Sequence, residues 1–295
     1  MRNILVGLAL LSVTVFVSLW TLGGLDQFYA WVIDEQRNFQ NQMAASLRAL
    51  RSGQPGAVAT LLGVCFIYGF IHAAGPGHGK LLIGGYGIAV RMTMLRLSGI
   101  ALLSSLAQGA SAVTLVYTGL QLLDLKRTQM IDSAEDIFAP ASHAAIALLG
   151  VWLIIRGMHR YWRTRGSHSD THSQACENCG HRHGPSVQEA ENVHSLRDLI
   201  VLVSAIAIRP CTGALFLLIL TWQFNVFAAG VAGTFAMALG TASVTVTIAI
   251  AAILFRATTF QHIPGRTATR IIPAIEIIMG AIICITAVRI LTAIL

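Results

Sequence analysis

Seven stretches of the chain are apolar for long enough to cross a bilayer or come close to it: residues 4–23, 57–75, 97–120, 141–156, 199–221, 226–255 and 271–293. A helix needs about 20 such residues to traverse the hydrocarbon core, and a backbone in lipid must satisfy its own hydrogen bonds, so each run predicts a membrane-spanning helix. Polar residues gather between the runs. Two polar stretches are long. Residues 24–56 carry Asp26, Asp34, Glu35, Gln36, Asn38 and Gln40 and read as a soluble amphipathic segment flanked by the interfacial aromatics Trp20, Phe28, Tyr29 and Trp31. Residues 157–197 form a polar insertion rich in Ser, Gln, Asn and Glu. The pattern therefore predicts an all-α membrane protein in four parts: an N-terminal span with its polar segment (1–56), a three-helix unit (57–156), a loop (157–197) and a second three-helix unit (198–295).

Composition agrees with this division. Fifty-five per cent of the residues are apolar and 11% charged, against roughly 25% charged in a soluble domain. The net charge of +7 does not point to nucleic acid, because the cations cluster at the ends of apolar runs and form no binding stripe. Loops of one parity carry thirteen Lys and Arg, including Lys80, Arg91 and Arg96, and those of the other parity five. The positive-inside rule then places the N-terminus, the loop after the second run and the long insertion in the cytoplasm of a bacterial inner membrane. Residues 24–56 and the acidic loop 121–140 become periplasmic. The first run lacks a small-x-small cleavage site and is expected to stay as an uncleaved span.

The chemistry concentrates at two interruptions of apolar runs. The second run ends in His72-Ala73-Ala74-Gly75-Pro76-Gly77-His78-Gly79-Lys80, two histidines and a lysine around a helix breaker. Proline removes a backbone hydrogen bond and glycine relaxes the dihedrals. A break here would aim imidazoles and freed carbonyls into a cavity, with Leu81 to Val90 as the other half of the helix. Neutral imidazole suits nickel, cobalt, zinc and copper. The alternative is that His72 only bonds a neighbouring helix and His78 lies in a cytoplasmic turn. Arg209-Pro210-Cys211-Thr212-Gly213 interrupts the fifth run in the same way. Cys211 could donate a thiolate, although buried cysteine is more often inert packing, and Arg209 is expected to pair with a carbonyl or an acid. Because each interruption opens a three-helix unit, the two units would be inverted repeats whose broken helices, marked by Pro76 and Pro210, share one cavity near the midplane.

The insertion holds Cys176, Cys179, His181 and His183 in a C-x-x-C-x-H-x-H pattern, a four-ligand set suited to zinc and open to nickel or cobalt. Glu276 is an acid inside the last run, placed either for proton coupling or to balance Arg209. Gln108, Ser111, Thr114, Thr241, Ser243, Thr245 and Thr247 either line a polar path or pack helices. There is no Walker A sequence, so drive from ATP would require an accessory partner, periplasmic or otherwise.

With H-A-A-G-P-G-H-G-K at 72–80 and R-P-C-T-G-A at 209–214, the sequence resembles the NicO family of nickel/cobalt transporters, the group that includes RcnA-type efflux proteins. That resemblance implies a non-enzymatic secondary transporter without a cofactor, moving divalent metal ions outward, with the motif histidines His72 and His78 in the metal path. The loop departs from the RcnA type in having fewer histidines. Two other functions stay open on the residues: a zinc or nickel uptake permease, and a thiol-redox conductor using Cys65, Cys211 and Cys284, which would need two thiols within disulfide reach.

Overall fold

The computed structural model describes residues 24–75, 78–90, 92–121, 129, 132–166, 196–260 and 265–294. These are helical nearly throughout, in nine α-helices among the described residues: α1 (Gly24–Arg51), α2 (Ala57–Ala74), α3 (His78–Ala89), α4 (Met94–Gln121), α5 (Ala139–Gly166, entered through a π-helical turn at Ala134–Phe138), α6 (Leu196–Ala207), α7 (Thr212–Gln223), α8 (Phe227–Phe260) and α9 (Gly265–Ile294). The first apolar run, residues 4–23, lies outside the described residues. Of the other six, five coincide with helices long and apolar enough to cross a membrane, and the sixth is the pair α6 and α7, bent by 61° at its break. Large apolar side chains such as Leu95, Leu148, Ile155, Phe255 and Ile285 point outward, as they must where the solvent is hydrocarbon.

The second run is longer than its apolar stretch suggests. After the Gly-Pro-Gly interruption α3 continues along α8, so α2 and α3 together accompany α8 from end to end. Gly69 meets Met237, Gly84 meets Ile248 and Gly87 meets Ala252 in register, and Arg256 Nη1 donates to Ile88 O at 2.8 Å. The break falls opposite the stretch between Thr241 and Ile248, near the middle of α8. Lys80, read from sequence as a cation of a cytoplasmic loop, is therefore inside the helical assembly; it lines the cavity described below.

Helix packing is reciprocal. The broken span of the first unit packs on α8, the second helix of the other unit; α6 and α7 pack on α4, the second helix of the first unit; and the third helices, α5 and α9, pack on each other. Small residues permit these approaches. A Cβ on Gly240 would lie 2.0 Å from Phe66 O, and one on Gly150 would lie 2.8 Å from Gly280 O. Because α7 turns back sharply through residues 224–226 into α8, and α8 runs alongside α2 and α3 in their own direction, the two broken spans run in opposite directions.

One segment differs from the sequence reading. Residues 24–56 were expected as a soluble amphipathic stretch; α1 within it is amphipathic as expected, but it is docked, running antiparallel along α2. Its inward face recurs at helical spacing, with Val32, Met43, Ser46 and Leu47 buried and Gln36, Phe39 and Gln40 half-buried. Val32 reaches Gly75 at the break, and Met43 and Leu47 join the core formed with Leu61, Cys65 and Leu215. A narrow apolar stripe on a polar helix is enough to dock it, which a hydropathy window cannot see.

Candidate metal route

Both interruptions open on one cavity of about 280 Å³. His72, Ala73 and Lys80 come from the first break, and Arg209, Pro210, Cys211 and Thr212 from the second. Beside the apolar side chains of Ile83, Ile146 and Ile206, the remaining wall is hydroxyl and amide: Ser104, Ser105 and Gln108 from α4, Ser142 from α5, Thr241 and Thr245 from α8. Proline explains why these groups are needed. Where a helix stops inside a membrane its last carbonyls lose their partners and must find others. Ser142 Oγ donates to Ala205 O at 2.8 Å, Gln108 Nε2 donates to Ile206 O at 3.1 Å and to Arg209 O at 3.4 Å, and Lys80 Nζ donates to Gly75 O.

His72 is held on three sides. Its Nδ1 meets Gln36 Oε1 of α1 at 3.0 Å, its ring stacks on Tyr68 with centroids 5.9 Å apart and planes 8° from parallel, and it faces the Cys211 thiol across the cavity. Since an amide oxygen only accepts, Nδ1 donates in this arrangement and Nε2 of the neutral ring keeps its lone pair. Tyr68 is itself tied to α1, its hydroxyl accepting from Gln40 Nε2 at 3.3 Å. Cys211 occupies the N-cap position of α7, and its Sγ lies 3.9 Å from Met237 Sδ.

The structure thus brings together His72, Lys80, Arg209, Pro210 and Cys211. His78 opens α3, but its side chain lies outside the described residues, as do Pro76 and the insertion ligands Cys176, Cys179, His181 and His183. Glu276 is elsewhere. It is wholly buried between α9 and α5, where its Oε1 accepts from Arg160 Nη1 at 2.7 Å, so it does not balance Arg209 and does not line the cavity. Among the polar candidates, Gln108, Thr241 and Thr245 line the wall, whereas Ser111, Thr114, Ser243 and Thr247 bond carbonyls of their own helices. Sequence reasoning missed Gln36, Ser142 and Met237 as neighbours of the site. Cys65, Cys211 and Cys284 are free thiols; Cys65 packs beside Gly233 and Cys284 beside Gly150. No group of three or more His, Cys, Asp and Glu stands ready to hold a metal among the described residues. What the cavity offers an ion is one imidazole, one thiol, several hydroxyl and amide oxygens and the two cations Lys80 and Arg209.

A bundle of apolar helices with two oppositely directed broken spans around a polar cavity has the build of a membrane transporter. Comparison with known proteins narrows the class. Residues 58–185 match the NicO family, described as high-affinity nickel-transport protein, so the resemblance carried by the histidine motif holds over that stretch. The chain is also 26% identical over 249 residues to a Haemophilus influenzae protein named as a candidate nickel/cobalt efflux system, covering 78% of this chain and 74% of that one. No solved structure matches.

Proposed function

We infer that this chain is a secondary transporter that exports divalent nickel or cobalt ions. The observation that carries this reading is the convergence of both helix breaks on one cavity, with His72 and Cys211 in its lining. An ion entering must exchange water for protein ligands. Imidazole and, once its proton is released, the Cys211 sulfur supply the stronger bonds, and the oxygens of Ser104, Ser105, Thr241 and Thr245 stand in for part of the hydration shell. Outward direction is supported by the name of the Haemophilus relative; the insertion, whose Cys176, Cys179, His181 and His183 would bind ions on the cytoplasmic side assigned by the charge pattern, would serve export and uptake alike. Proton exchange supplies the drive in this reading.

The test is radiometal flux into inverted membrane vesicles under an imposed proton gradient, with nickel, cobalt and zinc compared. Nickel and cobalt should accumulate. His72→Ala and His78→Ala should each abolish accumulation at equal protein abundance. Normal flux in both substituted proteins would eliminate the proposed route.

A further inference from the structure

Met237 lies one helical turn before Thr241 of the cavity wall and is only 2% exposed. Its position is rigid, because α8 crosses α2 so closely here that a Cβ on Gly69 would sit 2.0 Å from Met237 O. From that position Sδ approaches Cys211 Sγ to 3.9 Å, and the same thiol faces His72. Cys211 therefore stands beside both a thioether and an imidazole. A thioether is a poor ligand for hard or borderline dications and a good one for soft ions.

The spacing of the sulfurs adds a geometric criterion. With a metal–sulfur bond of about 2.3 Å, sulfurs 3.9 Å apart subtend an angle of about 116° at the metal. That lies between the tetrahedral and trigonal-planar values adopted by d¹⁰ ions. The right angle of a square-planar or octahedral ion would require sulfurs only about 3.3 Å apart at the same bond length.

We propose that Cys211, Met237 and His72 form a binding site for a soft monovalent ion, Cu(I), set within the metal cavity. Binding replaces the Cys211 S–H bond with a sulfur–copper bond, releases the proton to solvent and leaves the oxidation state of copper unchanged. Gln36 contributes by holding the His72 proton on Nδ1, which leaves Nε2 to complete a three-coordinate set. The consequence for transport, that Cu(I) blocks nickel and cobalt flux, rests on the function proposed above; the binding itself does not.

Ag(I), a redox-inert ion of the same charge and softness, is the probe. The full chain in detergent is titrated with buffered Ag(I), and N-ethylmaleimide modification of Cys211 is followed on its own peptide by mass spectrometry, so that Cys176 and Cys179 are read separately. Ag(I) should protect Cys211, and Met237→Leu should raise the free Ag(I) needed for half-protection roughly tenfold or more. Equal midpoints in the two proteins would overturn the proposal. Should Met237→Leu fold poorly, copper K-edge absorption of the Cu(I)-loaded Cys176→Ser/Cys179→Ser chain decides instead. Two sulfurs and one nitrogen on copper support the site; a single sulfur refutes it. Normal nickel flux in His72→Ala together with Met237-dependent protection would sink the transport reading and leave this site standing. Nickel flux lost in His72→Ala with protection independent of Met237 would do the reverse.

Discussion

Replacing Gln36 by leucine tests whether α1 belongs to the transport machinery. The substitution keeps the volume of a half-buried side chain and removes the one acceptor bonded to His72 Nδ1, at 3.0 Å. A neutral hydrogen bond contributes about 1 kcal/mol to stability, and α1 remains anchored by Val32, Met43 and Leu47, so the fold should tolerate the change. Function should not. Without Gln36 the imidazole is free to place its proton on Nε2, which then cannot ligate, and loss of such a supporting contact typically costs 10–100-fold in metal affinity or activity. We expect the KM for nickel in proteoliposomes to rise by about tenfold in Gln36→Leu, with Gln36→Glu, which restores an acceptor, recovering most of it. Gln40→Leu, which loses a bond to Tyr68 and none to the imidazole, should have a much smaller effect. A wild-type KM in Gln36→Leu at matched reconstitution and melting temperature would refute the argument.

Lys80→Met should tighten nickel binding and slow its release, since it removes a cation from the cavity wall; unchanged or weaker binding by calorimetry counts against that electrostatic role. Gly240→Leu must force α2 and α8 apart where no room exists for even a Cβ, at a cost of about 1–3 kcal/mol, and an unaltered thermal midpoint in detergent would contradict the close crossing. Arg160→Met strips the buried Glu276 of its 2.7 Å partner. With the arginine 37% exposed, the loss should be about 2 kcal/mol, less than the 3–5 kcal/mol of a fully buried pair, and Arg160→Met/Glu276→Met should be more stable than Arg160→Met by denaturant titration.

The two helix breaks were legible because their causes are local. Pro210 deprives a helix of a donor wherever it stands in an apolar run, and an arginine or histidine beside such a break is too costly in lipid to be incidental. Their meeting in one cavity followed from the repetition of broken helix, straight helix, straight helix in each unit. The position of α1 had no such local signal. Gln36 and His72 are 36 residues apart in the chain, and the stripe Val32, Met43, Leu47 is interrupted by enough charge to resemble a surface helix. Met237 was invisible for the opposite reason: one methionine in an apolar run looks like any other core residue. Glu276 shows the limit of reading charges by sign, since the arginine it needed was Arg160 on the helix packed against its own.

Among the described residues the cavity is lined by Lys80 and Arg209 and by no carboxylate, which looks unsuited to a dication until transport is distinguished from storage. A compact cavity of 280 Å³ is about 8 Å across, and two unit charges at that separation interact by about 2 kcal/mol at an effective dielectric constant of 20, twice that for a dication. Set against this are the imidazole and the thiolate left when Cys211 releases its proton, each able to form a strong bond to nickel or cobalt. Ligands alone would trap the ion, and cations alone would exclude it. In the proposed transport the two together would make a site entered by ligand exchange and left because charge repulsion persists throughout, the balance that any conducting site must strike. A carboxylate in the wall would have deepened the well. The same reasoning explains why a monovalent ion with strong affinity for sulfur would linger. In the proposed site Cu(I) gains the Met237 sulfur that nickel and cobalt use poorly, and it bears half the repulsion from Lys80 and Arg209, so it is held more strongly and pushed out less than a divalent cargo.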